Sequence, residues 1–186
     1  VVEGGKETWT AAQKKSLHAT ERDTEENLRK RKAFVEVIRQ TAVEDLIYLD
    51  ESGVSTQMTR TRGRAPRGVR VQDTVPGGHW RMLTVVGAMD HNGMLATMTV
   101  EAATDREVFL AYLDHVLCPK LRPGHLVVMD NLSAHKVDGV RERIEACGTS
   151  LLYLPPYSPD LNPIEQVWSK LKTGLRAVGA RTVETL

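Results

Sequence analysis

The 186-residue chain is 41% hydrophobic, enough for one globular core, and its 25 basic residues against 24 acidic ones leave a net charge of +1. Overall charge therefore marks no nucleic-acid binder, and only local clustering can. Cys118 and Cys147 lack CxxC or CxxH spacing, which argues against a disulfide scaffold or a zinc site. No apolar run reaches the length of a bilayer span, so the chain reads as soluble and cytoplasmic with no membrane partner.

Residues 1–22 are polar with Gly4-Gly5 and read as a linker. Asp23 and Glu26 resemble a capping box, and Leu28, Val35, Ile38 and Ala42 recur at helical spacing, which predicts a helix over 24–41 with Arg29, Lys30, Arg31 and Lys32 on its wet side. Residues 46–49 form a short apolar run bounded by Ser52-Gly53, a predicted buried strand that ends at Asp50. Alternation over 54–59 predicts a second, antiparallel strand. Arg60, Arg62, Arg64, Arg67 and Arg70 then crowd around Gly63, Pro66 and Gly68, a flexible and strongly positive loop. Strands at 82–89 and 94–100 are joined through Asn92-Gly93, a strong hairpin signal.

Thr104 and Glu107 suggest another capping box, followed by Phe109, Leu110, Leu113, Val116 and Leu117 at helical spacing up to Pro119. A strand over 125–129, a helix over 137–147 closed by Gly148, and a strand over 150–154 follow. Asn162 and Pro163 then open a last helix, with Ile164, Val167, Trp168, Leu171 and Leu175 on one face. The expected fold class is α/β: a mixed five-stranded sheet, three antiparallel strands then parallel ones, with helices on both faces. Residues 1–42 read as linker and helix, the fringe of a domain that lies outside the sequence. Residues 43–186 read as the main domain, incomplete at its carboxyl end because 181–184 look like the start of a further helix.

Three acids share one topological address. Asp50 and Asp130 follow apolar strands, where ligands bind in such sheets, and Glu165 stands in the first turn of the last helix. Each has a bland reading: an aspartate after a strand often bonds its own turn, and a glutamate three residues after an asparagine often closes a capping box. If the three converge, each like-charged pair at 4 Å costs about 4 kcal/mol at an effective dielectric near 20, and something must offset it. Oxygen ligands without clustered Cys or His select Mg²⁺ or Mn²⁺, and a pair of such ions serves phosphodiester displacement.

The segments YLDESG, VVMDNLSAHK and YLPPYSPDLNPIEQVWSKLK resemble the catalytic core of bacterial insertion-sequence transposases in the mariner-like DDE superfamily. The 34 residues between Asp130 and Glu165 are a spacing typical of that group. The resemblance covers about residues 40–180 and implies a ribonuclease-H-like fold. Asp50, Asp130 and Glu165 match the metal-binding triad, with Asp50 bridging two Mg²⁺ or Mn²⁺ ions while Asp130 and Glu165 each hold one. It implies double-stranded DNA as partner: water cuts at the terminal inverted repeats, and the freed 3′-hydroxyl attacks a target, commonly TA. No covalent enzyme intermediate is expected. A DNA-recognition domain ahead of residues 1–42, a homodimer in the synaptic complex and attachment to the bacterial nucleoid when bound to DNA are further implications.

The five arginines at 60–70 are the best candidates for phosphate contact, with Lys172 behind Glu165 on the same helix as another. His135 and Lys136 either touch the scissile phosphate or orient Asp130, or else stand in solvent at a helix start. Asn131 and Glu51 are candidates to support the neighbouring carboxylates. Trp168 and Tyr157 read as core and loop packing, and Trp80, just before a strand, as unremarkable. Two other readings stay open: a ribonuclease-H-like nuclease that does not transpose, and a truncated DNA-binding remnant without catalysis.

Overall fold

The computed structural model describes residues 19–75, 77–101, 104–131 and 139–186. Five strands, β1 (Leu46–Ser55), β2 (Met82–Asp90), β3 (Gly93–Val100), β4 (Leu126–Met129) and β5 (Ser150–Tyr153), form one sheet in the order β3-β2-β1-β4-β5. The first three pair antiparallel, and β4 and β5 add on parallel. That is the expected α/β arrangement. One boundary differs: β1 continues through Asp50 to Ser55, and the separate strand expected over 54–59 is its last part followed by a turn. Gly53 does not break the strand because β2 pairs with β1 along this whole length, Gly53 facing Thr84. What stops at Leu49 is the parallel pairing with β4.

Side chains alternate across a strand, so the sheet has two distinct faces. Ile47, Leu49, Val86, Ala88, Val127, Met129 and Leu151 pack on one face with Phe109, Tyr112, Leu113, Leu117, Val140 and Ile144. Those come from α2 (Arg106–Tyr112), its π-helical continuation Leu113–Leu117, and α3 (Val140–Ala146). The opposite face carries α1 (Glu25–Gln40) and α4 (Ile164–Val178). Phe34 of α1 packs with Val128 and Leu154, whereas Ile164 and Trp168 of α4 pack with Val54, Leu83 and Val85.

Helix starts differ from the expected ones. Thr24, not Asp23, caps α1 by accepting from Asn27 N–H, and Asp105, not Thr104, caps α2 by accepting from Val108 N–H. In each case the oxygen at the cap position reaches the third N–H of the helix, the geometry an N-cap requires. Of the expected linker, residues 1–18 lie outside the described residues. Among the described residues no helix is long and apolar enough to cross a membrane.

Candidate active site

Parallel register pairs Leu49 with Met129, so Asp50 and Asp130 are the next residues on adjacent strands. Alternation then turns both toward the face that carries α1 and α4, the face of Val128 and Tyr48. Glu165 comes to them from the first turn of α4. Asp50, Asp130 and Glu165 line one cleft of about 490 Å³, closed on one side by the loop from Leu154 to Asn162.

Asp50 and Asp130 are half-buried, whereas Glu165 is exposed at the start of α4. Asp50 Oδ1 accepts from Glu51 N–H at 2.8 Å and its Oδ2 from the indole Nε1–H of Trp168 at 3.1 Å. Burial raises the Asp50 pKa to about 6; the charges of Glu165 and Asp130 push the same way, and the two N–H donors only partly counter them. Negative charge on Asp50 is therefore costly and crowded, which is the setting a hard cation relieves.

The bland reading of Glu165 does not hold. A capping box would need its carboxylate on the Asn162 N–H, but that N–H donates to Pro159 O at 3.0 Å. Nor does Asn162 cap α4 with its side chain. Its Oδ1 is buried without a hydrogen-bond partner among the described residues, and Asn162 lines the same cleft as the acids. A buried amide oxygen left unpaired beside three carboxylates suits a cation or its bound water, and this all-oxygen donor set fits Mg²⁺ or Mn²⁺. Among the described residues no three His, Cys, Asp or Glu side chains already stand in a ready metal cluster. The three acids share one cleft, where the charges of Glu165 and Asp130 reach Asp50.

The loop from Leu154 to Asn162 is anchored from outside. Arg31 of α1 donates to Asp160 Oδ2 at 2.7 Å and to Ser158 Oγ at 2.6 Å, and Arg22 reaches Asp160 at 3.2 Å. The basic run at 29–32 is thus more than a wet helix face, since Arg31 points into the domain. Tyr157, expected to pack, is instead 51% exposed at the cleft lip with a left-handed backbone, φ +56°. Trp168 packs as expected, but its bond to Asp50 has no signal in the sequence: nothing in the helical pattern of α4 says which strand residue its indole meets.

The remaining candidates are scattered. Asn131 lines the cleft beside Asp130. Glu51 supports Asp50 through its backbone N–H, and strand alternation places its side chain on the opposite face of the sheet. Lys172 stands two turns along α4 from Glu165, beside Gly53, Ser55 and Arg176. Arg62, Arg64, Arg67 and Arg70 are exposed, as is Arg60, whose guanidinium donates to Ala177 O at 3.1 Å near the end of α4. His135 and Lys136 lie outside the described residues.

A family model described as DDE superfamily endonuclease matches residues 45–186, from just before β1 to the last residue given, and so takes in all three acids. The chain belongs to this DDE superfamily endonuclease family. Solved structures similar to this chain include a Mos1 transposase paired-end complex with the left transposon end, at 17% identity and a TM-score of 0.71, covering 89% of this chain and 53% of that one. The mariner Mos1 paired-end complex with Mg aligns at 16% identity and TM-score 0.71, over 95% of this chain and 57% of that one. The catalytic domain of Mos1 mariner transposase alone aligns at 16% identity and TM-score 0.58, over 82% of this chain and 72% of that one. The chain has the ribonuclease-H-like fold implied by its sequence motifs, and it spans about half the length of the full Mos1 chains. No curated protein matches it.

Proposed function

We propose that this chain is the catalytic core of a cut-and-paste DNA transposase of the insertion-sequence kind, using two Mg²⁺ or Mn²⁺ ions. The observation that carries the reading is the cleft shared by Asp50, Asp130 and Glu165, contributed by β1, the end of β4 and the start of α4. The three carboxylates would hold the ions, which supply the activation of the attacking oxygen and stabilisation of the leaving one. Asp50, next to both other acids, suits the bridging position, and Asn162 offers a further oxygen.

On this reading water displaces one strand at a transposon end and leaves a 3′-hydroxyl, which then displaces a target phosphodiester, commonly at TA. The exposed arginines between Arg60 and Arg70 would track the phosphate backbone, with Lys172 extending the positive surface along α4. A homodimer would hold two ends together, and the protein would work in the cytoplasm on nucleoid DNA.

The test is product analysis with pre-cut transposon-end DNA and a supercoiled target in Mg²⁺ or Mn²⁺. Joined products support transposition. Cleavage without joining would favour a nuclease that does not transpose, and DNA binding with neither reaction would favour a non-catalytic remnant.

A further inference from the structure

The placement of Trp168 goes further than the acids themselves. Its ring is 3% exposed, packed among Val54, Leu83, Val85 and Ile164. It lies over Gly87, where an added Cβ would come within 2.6 Å of the indole Cη2, so the ring crosses β2 only because Gly87 has no side chain. Gly87 is also the residue paired with Asp50 across the β1–β2 ladder. The indole N–H therefore arrives at Asp50 Oδ2 along a path set by packing on every side.

A carboxylate offers about four lone-pair sites, two on each oxygen. Here Oδ1 spends one on Glu51 N–H and Oδ2 spends one on Trp168 N–H. Each oxygen keeps one for a cation, the pattern that bridging two ions requires. Trp168 is also one turn beyond Glu165 on α4, so a single rigid element delivers one acid and holds another in orientation.

We propose that Trp168 is a positioning residue for the metal site: its indole N–H holds the Asp50 carboxylate so that one lone pair of each oxygen stays open to the cleft. This rests on the metal-dependent reading above. It needs a readout that a packing role alone would not move. Mn²⁺ affinity is measured on the whole chain for wild type, Trp168→Phe, Leu171→Ala and Asp50→Asn, and the indole N–H resonances are followed during Mg²⁺ titration. The Trp168 signal is the one missing from the Trp168→Phe spectrum.

Trp168→Phe keeps an aromatic ring but loses the donor, and its Mn²⁺ affinity is expected to fall about 10–100-fold, the scale of removing a group that orients a metal ligand. Leu171→Ala, which loosens the same apolar cluster away from Asp50, is expected to bind like wild type. The Trp168 N–H signal should shift saturably with Mg²⁺ and stay fixed in Asp50→Asn. Wild-type affinity in Trp168→Phe overturns the proposal, as does an equal loss in Leu171→Ala. Wild-type affinity in Asp50→Asn would instead remove the metal reading beneath it.

Discussion

Gly87 stands directly across the ladder from Asp50, and the space it leaves is filled by the indole that bonds Asp50. A glycine inside a strand usually weakens it, and here it makes room for a close approach. Gly87→Ala would set a methyl group within 2.6 Å of Trp168 Cη2 and 2.7 Å of Met94 Cε. Overpacking of this kind costs about 1–3 kcal/mol, so thermal unfolding should shift down by several degrees. Cleavage should fall further than stability does, because the indole is pushed from Asp50. An unchanged melting temperature would mean that the indole moves freely.

Asp50→Asn, Asp130→Asn and Glu165→Gln should each lower metal-dependent cleavage by on the order of 10³-fold or more, the scale expected when a catalytic electrostatic group is deleted. Circular dichroism should show the fold retained, since each change removes charge from a crowded site. Cleavage near the wild-type level in any variant takes that residue out of the mechanism.

Asp50 and Asp160 should give opposite pH responses in the metal-free protein. The pKa of Asp50 is raised to about 6, so the native state takes up a proton that the unfolded chain takes up only near 3.8. Its contribution to stability is fully present below the unfolded value and is lost as pH rises through about 6, a difference of at most about 3 kcal/mol. In EDTA, wild type should gain stability relative to Asp50→Asn as pH is lowered from 7 toward 4. Asp160 is held below its usual range by its hydrogen bond to Arg31, so its contribution is present at neutral pH and lost only as pH falls below the ordinary aspartate value. Urea titrations at stepped pH would expose a wrong sign in either case.

Arg31→Ala should free Ser158 and leave Asp160 held only by Arg22, destabilising by about 1–2 kcal/mol, the range for charge-assisted hydrogen bonds to a partly exposed carboxylate. Because that loop walls the cleft, hydrogen exchange in 154–162 should quicken more than in β1. Equal protection across both segments would show that α1 does not hold the loop.

Neutralising Arg62 and Arg64 should weaken DNA binding evenly across sequences and make the log–log salt slope shallower by roughly 1.8, about 0.9 for each phosphate that is no longer neutralised. An unaltered slope would leave these side chains as solvated loop residues.

Local pattern determined a good deal of this protein. Apolar runs and the Asn92-Gly93 turn announced the strands, helical spacing announced α1, α2 and α4, and the motifs around Asp50, Asp130 and Glu165 marked the acids, because hydrophobic period and turn chemistry act between near neighbours in the chain. Tertiary structure decided the rest. That β1 runs on past Asp50 depends on the length of β2, and that Asp50 meets Asp130 depends on where β4 stops. The indole on Asp50 and the clasp of Arg31 on Asp160 join residues far apart in sequence. Such contacts are set by how helices settle on a sheet face, a global packing problem on which no local periodicity reports.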